Sequence, residues 1–151
     1  RKVGALVTDG VDAGLLAALE EAVAAEGAML ELVAPTVGGV TASDGKRVPA
    51  KQKVNGGPSV LYDAVALLPS EQGAALLTRE ATAKDFVSDA FAHAKFIAYA
   101  EAARPLMQKA GVAEMMDEGF VALQSAADAR RFVQICRQLR HWEREAKVHA
   151  V

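Results

Sequence analysis

An alternation constrains this chain more than any other feature. Short apolar runs at Lys2–Thr8, Met29–Ala34 and Tyr62–Pro69 are separated by stretches with helical spacing. A short run without polar alternation reads as a strand covered on both faces, which is the habit of parallel sheets. Helices between such strands supply the crossovers. The expected fold is therefore α/β: a doubly wound, mostly parallel sheet with helices on both faces. Residues 1–151 fit a single domain of this kind, with a sizeable core.

In chain order, Asp9-Gly10-Val11-Asp12 supplies the first turn, with Asp12 as N-cap. The helix that follows turns Leu15, Leu16, Leu19 and Val23 inward and Glu20, Glu21 and Glu26 to solvent, and Gly27 ends it. Pro35 stops the second strand. A polar, Gly-rich stretch from Gly38 to Gly57 then holds a hairpin or edge strand around Thr41–Val48. Ser70-Glu71-Gln72 opens a helix, and Thr82–His93 forms another, with Phe86, Ala90 and Phe91 inward and His93 at its end. Asp117–Leu123 reads as the last strand. Ser125 and Asp128 make a capping box for a terminal helix whose apolar stripe runs Phe132, Ile135, Cys136, Leu139, Trp142. Arg130, Arg137, Arg140 and Arg144 fall off that stripe, on a solvated or interdomain face.

Lys95–Pro105 reads as an apolar strand running into a sharp turn and a helix, which Gly111 then breaks. In open α/β sheets ligands bind at the carboxyl ends of the strands, and a strand–turn–helix elbow is where a nucleophile is mounted. Here that position is Glu101, with neither Cys nor Ser beside it.

Composition narrows the function classes. The formal charge of −2 offers a polyanion nothing to bind, and the Arg-rich face lacks interleaved aromatics, so nucleic acid is not an expected partner. No apolar run approaches a membrane span, and no membrane contact is expected. The one cysteine, Cys136, packs in the core and excludes an internal disulfide framework. His93, His141 and His149 lack metal-ligand spacing; no metal site is expected, and His141 and His149 read as surface residues. Asp9-Gly10 lacks the further glycines of a dinucleotide or phosphate loop. The chain opens on Arg1, already inside a strand, and so reads as a piece of a longer polypeptide.

The succession Lys2–Thr8, Asp9-Gly10-Val11, Met29–Pro35, Tyr62–Pro69, Lys95–Pro105 resembles the superfamily of PfpI-type proteases, glyoxalases and class I glutamine amidotransferases. Within it, Val7-Thr8-Asp9-Gly10-Val11-Asp12, Ala34–Gly39, Asn55–Ala64, Lys84-Asp85-Phe86-Val87 and Asp89–His93 are similar to the C-terminal domain of large-subunit haem catalases. That resemblance implies a flavodoxin-like domain, a three-layer sandwich, appended to a peroxide-decomposing enzyme, usually a homotetramer, whose haem and haem ligands lie in the N-terminal part. It implies no cofactor in this domain. Its partners would be the N-terminal catalase domain, neighbouring subunits and, in a chaperone role, unfolded client proteins.

Active members of the superfamily carry a Cys at the elbow, often followed by His, with a Gly two residues on. Glu101, Ala102 and Ala103 stand at those places. The PfpI-type Glu of the first helix aligns with Leu15, and the Pro-Gly-Gly oxyanion turn reads Pro69-Ser70-Glu71. The expectation is a degenerate elbow without catalytic residues, in an accessory domain supporting stability and assembly. Glu101 itself is expected to cap the following helix. The competing readings are a residual or thiol-independent hydrolase or glyoxalase using Glu101 as a general base raised by burial, and a small-molecule sensor at the same elbow.

Overall fold

The computed structural model describes residues 1–149, the side chain of His149 excepted; the surface placement expected for that side chain lies outside the described residues. Eight strands and six helices follow one another as β1 (Lys2–Val7), α1 (Ala13–Ala25), β2 (Met29–Ala34), β3 (Val40–Thr41), β4 (Arg47–Val48), β5 (Gln52–Lys53), β6 (Ala64–Leu68), α2 (Glu71–Leu77), α3 (Ala81–Ala92), β7 (Ile97–Tyr99), α4 (Arg104–Lys109), β8 (Phe120–Ala122), α5 (Ala126–Ile135) and α6 (Glu145–His149). Six strands form one parallel sheet in the order β5-β2-β1-β6-β7-β8, and β3 and β4 form the expected small antiparallel hairpin.

The strands are apolar because each side of the sheet has its own helical cover. On one side Val3, Ala5 and Val7 meet Leu16, Leu19 and Val23 of α1, and Phe132 and Val133 of α5. On the other, Leu6, Val65, Leu67 and Ile97 meet Leu77, Phe86, Val87, Leu106 and Met107 from α2, α3 and α4. Alternate residues of one strand thus feed two cores, which is what makes three layers. The direction of the strand order reverses between β1 and β6, and the crevice at their carboxyl ends is the topological switch point.

Local signals set the helix ends. Asp12 accepts from the Leu15 N–H at 3.0 Å, Ser70 from Gly73 at 3.0 Å, and Ser125 and Asp128 close the predicted capping box. At Gly73 a Cβ would stand 1.8 Å from Thr8 Oγ1, so only glycine lets α2 approach the end of β1.

The terminal segment departs from the expected single helix. Beyond Ile135 it tightens into a 3₁₀ turn, and Leu139 takes a φ of 69°. That reversal ends the amphipathic stripe. Leu139 and Trp142, expected inward, are exposed, and Arg144, expected outward, is buried. Glu26 is not a free solvent carboxylate either, since Arg1 and Arg137 both pair with it.

Candidate functional site

The elbow stands where it was expected, at the carboxyl end of β7, and its geometry is relaxed. Ala100 leaves the strand with φ −79° and ψ 153°, and residues 101–103 make one 3₁₀ turn into α4. The non-glycine residues with positive φ among those described are Ala94 and Leu139, so Glu101 is not held in the strained conformation of a nucleophile elbow.

Glu101 does not cap the helix. Its carboxylate accepts from Arg104 Nε one turn on, and no side chain caps either the 3₁₀ turn or α4. Three residues along such a turn bring two side chains to one face, and the guanidinium outcompetes the backbone amides for the carboxylate. The Glu101 side chain is 61% exposed, not the buried carboxylate that the general-base reading expected. Arg104 lies 5.7 Å over the ring of buried Tyr99 and covers the strand end beside the turn.

The neighbouring positions are also occupied by structural bonds. The Ser70 N–H, at the place of the oxyanion turn, donates to Thr8 Oγ1 at 3.0 Å. Its hydroxyl donates to the Asp9 carbonyl at 2.6 Å while accepting from Gly73. Asp9 Oδ1 in turn accepts from the Thr41 N–H at 2.8 Å, which fastens β3 to the end of β1. Leu15 is half-buried on α1, Ala102 half-buried and Ala103 buried, and the Ala103 N–H closes on the Ala100 carbonyl. Thr8, Asp9 and Ser70 are thus drawn together. Among the described residues no hydrogen bond joins Glu101 to them. A cleft of about 400 Å³ opens beside this network, lined by Thr8, Asp9, Thr36, Gly73 and Leu76 among others, and Glu101 is not one of its walls.

The opposite, amino-terminal end of the sheet carries a second charged cluster that periodicity did not reveal. Arg144 is wholly buried and makes a two-pronged pair with Asp117, through Nε at 2.8 Å and Nη2 at 3.0 Å. Its Nη1 donates to the Lys95 carbonyl at 2.6 Å, and the guanidinium lies 4.9 Å over Phe91 and 5.0 Å over Phe120. Burial alone would raise the Asp117 carboxyl. The hydrogen bonds and charge of Arg144, joined by the Gly119 N–H and His141, hold it below its usual range instead.

His141 is therefore no surface residue. Its ring lies between Asp117 and Glu143 and against Phe96, and its backbone N–H donates to the Ala94 carbonyl. Lys95 is 3% exposed and donates to the Ser59 carbonyl at 2.6 Å. Its position between Ala94 and Phe96 in an apolar stretch was the one sequence signal for it.

The fold is shared with solved DJ-1 structures. Toxoplasma gondii DJ-1 in its oxidised form superimposes with a TM-score of 0.74 at 19% identity, over 99% of this chain and 96% of that one. Drosophila melanogaster DJ-1beta gives a TM-score of 0.75 at 15% identity with the same coverage. At such identities the likeness establishes the fold alone.

The family is narrower. Residues 1–146 match the C-terminal domain found in long catalases, and the chain belongs to that family. It is 57% identical to Catalase C of Rhizobium meliloti over 148 residues, 98% of this chain and 21% of that protein. Catalase HPII of Pseudomonas putida is 33% identical over 153 residues, all of this chain and 20% of that protein. The chain therefore spans about a fifth of the length of the catalases it matches.

Neither Cys136 nor His141 is placed to hold a haem. Burial pushes the Cys136 thiol up to about 12, so it holds its proton, and the His141 ring is engaged by two carboxylates. The described residues include no group of three side chains placed to hold a metal ion, and none of their helices is long and apolar enough to cross a membrane.

Proposed function

We propose that this chain is a single, non-catalytic accessory domain of a larger catalase, which decomposes hydrogen peroxide to water and oxygen with a haem held in its N-terminal part. The domain stabilises that enzyme and supports its assembly, in contact with the N-terminal domain and with neighbouring subunits of a homotetramer. One observation carries the reading. The backbone amide at the oxyanion position is spent on Thr8, while the elbow presents an exposed carboxylate paired to Arg104. An acyl-transfer site needs a nucleophile and free donors at that point, and a spent amide cannot serve a developing oxyanion.

Exposed apolar side chains support a contact role, among them Val37 (79%), Val60 (67%) and Leu76 (62%). The same residues would hold partly unfolded clients in a chaperone activity. The test compares the longer catalase with and without this domain. The accessory reading predicts unchanged peroxide turnover per haem at low temperature, earlier thermal inactivation and weaker tetramer assembly. Identical inactivation and assembly would remove it. Suppression of the thermal aggregation of an unrelated client, above that of an inert protein of equal size, tests the chaperone part separately.

A further inference from the structure

A cleft of about 370 Å³ lies at the amino-terminal end of β7, away from the elbow. Lys95 lines it and is 3% exposed. An ammonium has three N–H donors, and among the described residues this one has a single acceptor, the Ser59 carbonyl. No carboxylate forms an ion pair with it among the described residues.

Arg140 lines the same cleft, anchored by the carbonyls of Asp63 at 3.1 Å and Leu139 at 2.8 Å. Beside the two cations stand apolar walls: Trp142 at 63% exposure, Val60 at 67%, and Val148. A buried ammonium without a counter-charge is costly, and an anion placed against it removes that cost. Burial first, and Arg140 second, push the Lys95 amine down to about 8, with Asp63 and Asp89 pulling the other way.

We propose that this cleft binds a small carboxylate with a short apolar body, its anionic end on Lys95 and Arg140 and its apolar part on Trp142 and Val60. The proposal is independent of the accessory reading and concerns the opposite end of the sheet from the elbow.

Trp142 is the one tryptophan of the chain, so its fluorescence reports on the cleft. The experiment titrates the 151-residue protein with hexanoate at pH 7, with hexan-1-ol as the uncharged control. A saturable fluorescence change with hexanoate is expected, absent with the alcohol and weakened at least about tenfold in Lys95→Met, the loss of one buried charge-assisted bond. Arg140→Gln weakens it less.

The charged groups facing Lys95 are Arg140, Asp63 and Asp89, with His93 and Glu145 on the cleft walls. Affinity for hexanoate falls as pH rises through about 8 and the amine loses its proton, in the wild type and in His93→Gln alike. No saturable signal, equal binding of hexan-1-ol, or undiminished binding by Lys95→Met each overturns the proposal. Where circular dichroism shows Lys95→Met misfolded, the pH break and Arg140→Gln decide it, and the absence of both effects overturns it.

Discussion

Each end of the sheet carries an arginine–carboxylate pair, and the two pairs share little beyond their chemistry. At the carboxyl end Glu101 and Arg104 sit three residues apart with side chains 61% and 41% exposed. At the amino end Asp117 and Arg144 are 27 residues apart, 10% and 0% exposed, with two aromatic rings closing over the guanidinium. Water competes with the first pair at every moment and leaves it little net worth. The second was desolvated at a cost that only a complete set of partners offsets, so loss of any one partner leaves a buried charge exposed to that cost. The pair at the end where such sheets usually bind ligands is exposed, and the pair at the opposite end is locked.

Arg144 is the residue whose loss should matter most. Arg144→Met leaves Asp117 buried and unpaired and should cost about 3–5 kcal/mol of unfolding free energy, read from the urea midpoint. A loss of the size seen for exposed pairs would erase the contrast. Gly119→Ala comes next: a Cβ there would stand 2.5 Å from Arg144 Nη2, and the overpacking should cost about 1–3 kcal/mol.

Acid sharpens the same point with a smaller effect. The folded Asp117 carboxyl lies below its ordinary 3.8, so its contribution is complete above that value and is lost as pH falls below it, through the folded value. A series of urea midpoints against pH should show this fall in the wild type and a shallower one in Asp117→Asn. At the other end, Glu101→Gln should leave the thermal midpoint where it was. A clear drop would mean that the elbow pair is structural after all.

The sheet and its two covers were legible because strand burial, caps and helix faces are written into neighbouring residues. Asp12, Ser70 and the Ser125–Asp128 box each announce a helix within four positions. β5 was not legible, since two residues count as a strand only through their pairing with β2. Nor was the burial of Arg144: it depends on Leu139 turning the chain at positive φ, and on a carboxylate far upstream. Helical spacing carried past that turn put Trp142 inside and Arg144 outside, the reverse of what the fold does. At the elbow the residue types were readable in advance. The pairing of Glu101 with Arg104 and the spending of the Ser70 amide on Thr8 were not, because both are matters of direction rather than identity.

We propose that the elbow end performs no chemistry. The most direct test is turnover of methylglyoxal and of glutamine by the 151-residue protein, measured beside Glu101→Gln. Neither protein is expected to exceed the buffer rate with either substrate. Turnover by the wild type that disappears in Glu101→Gln would contradict it.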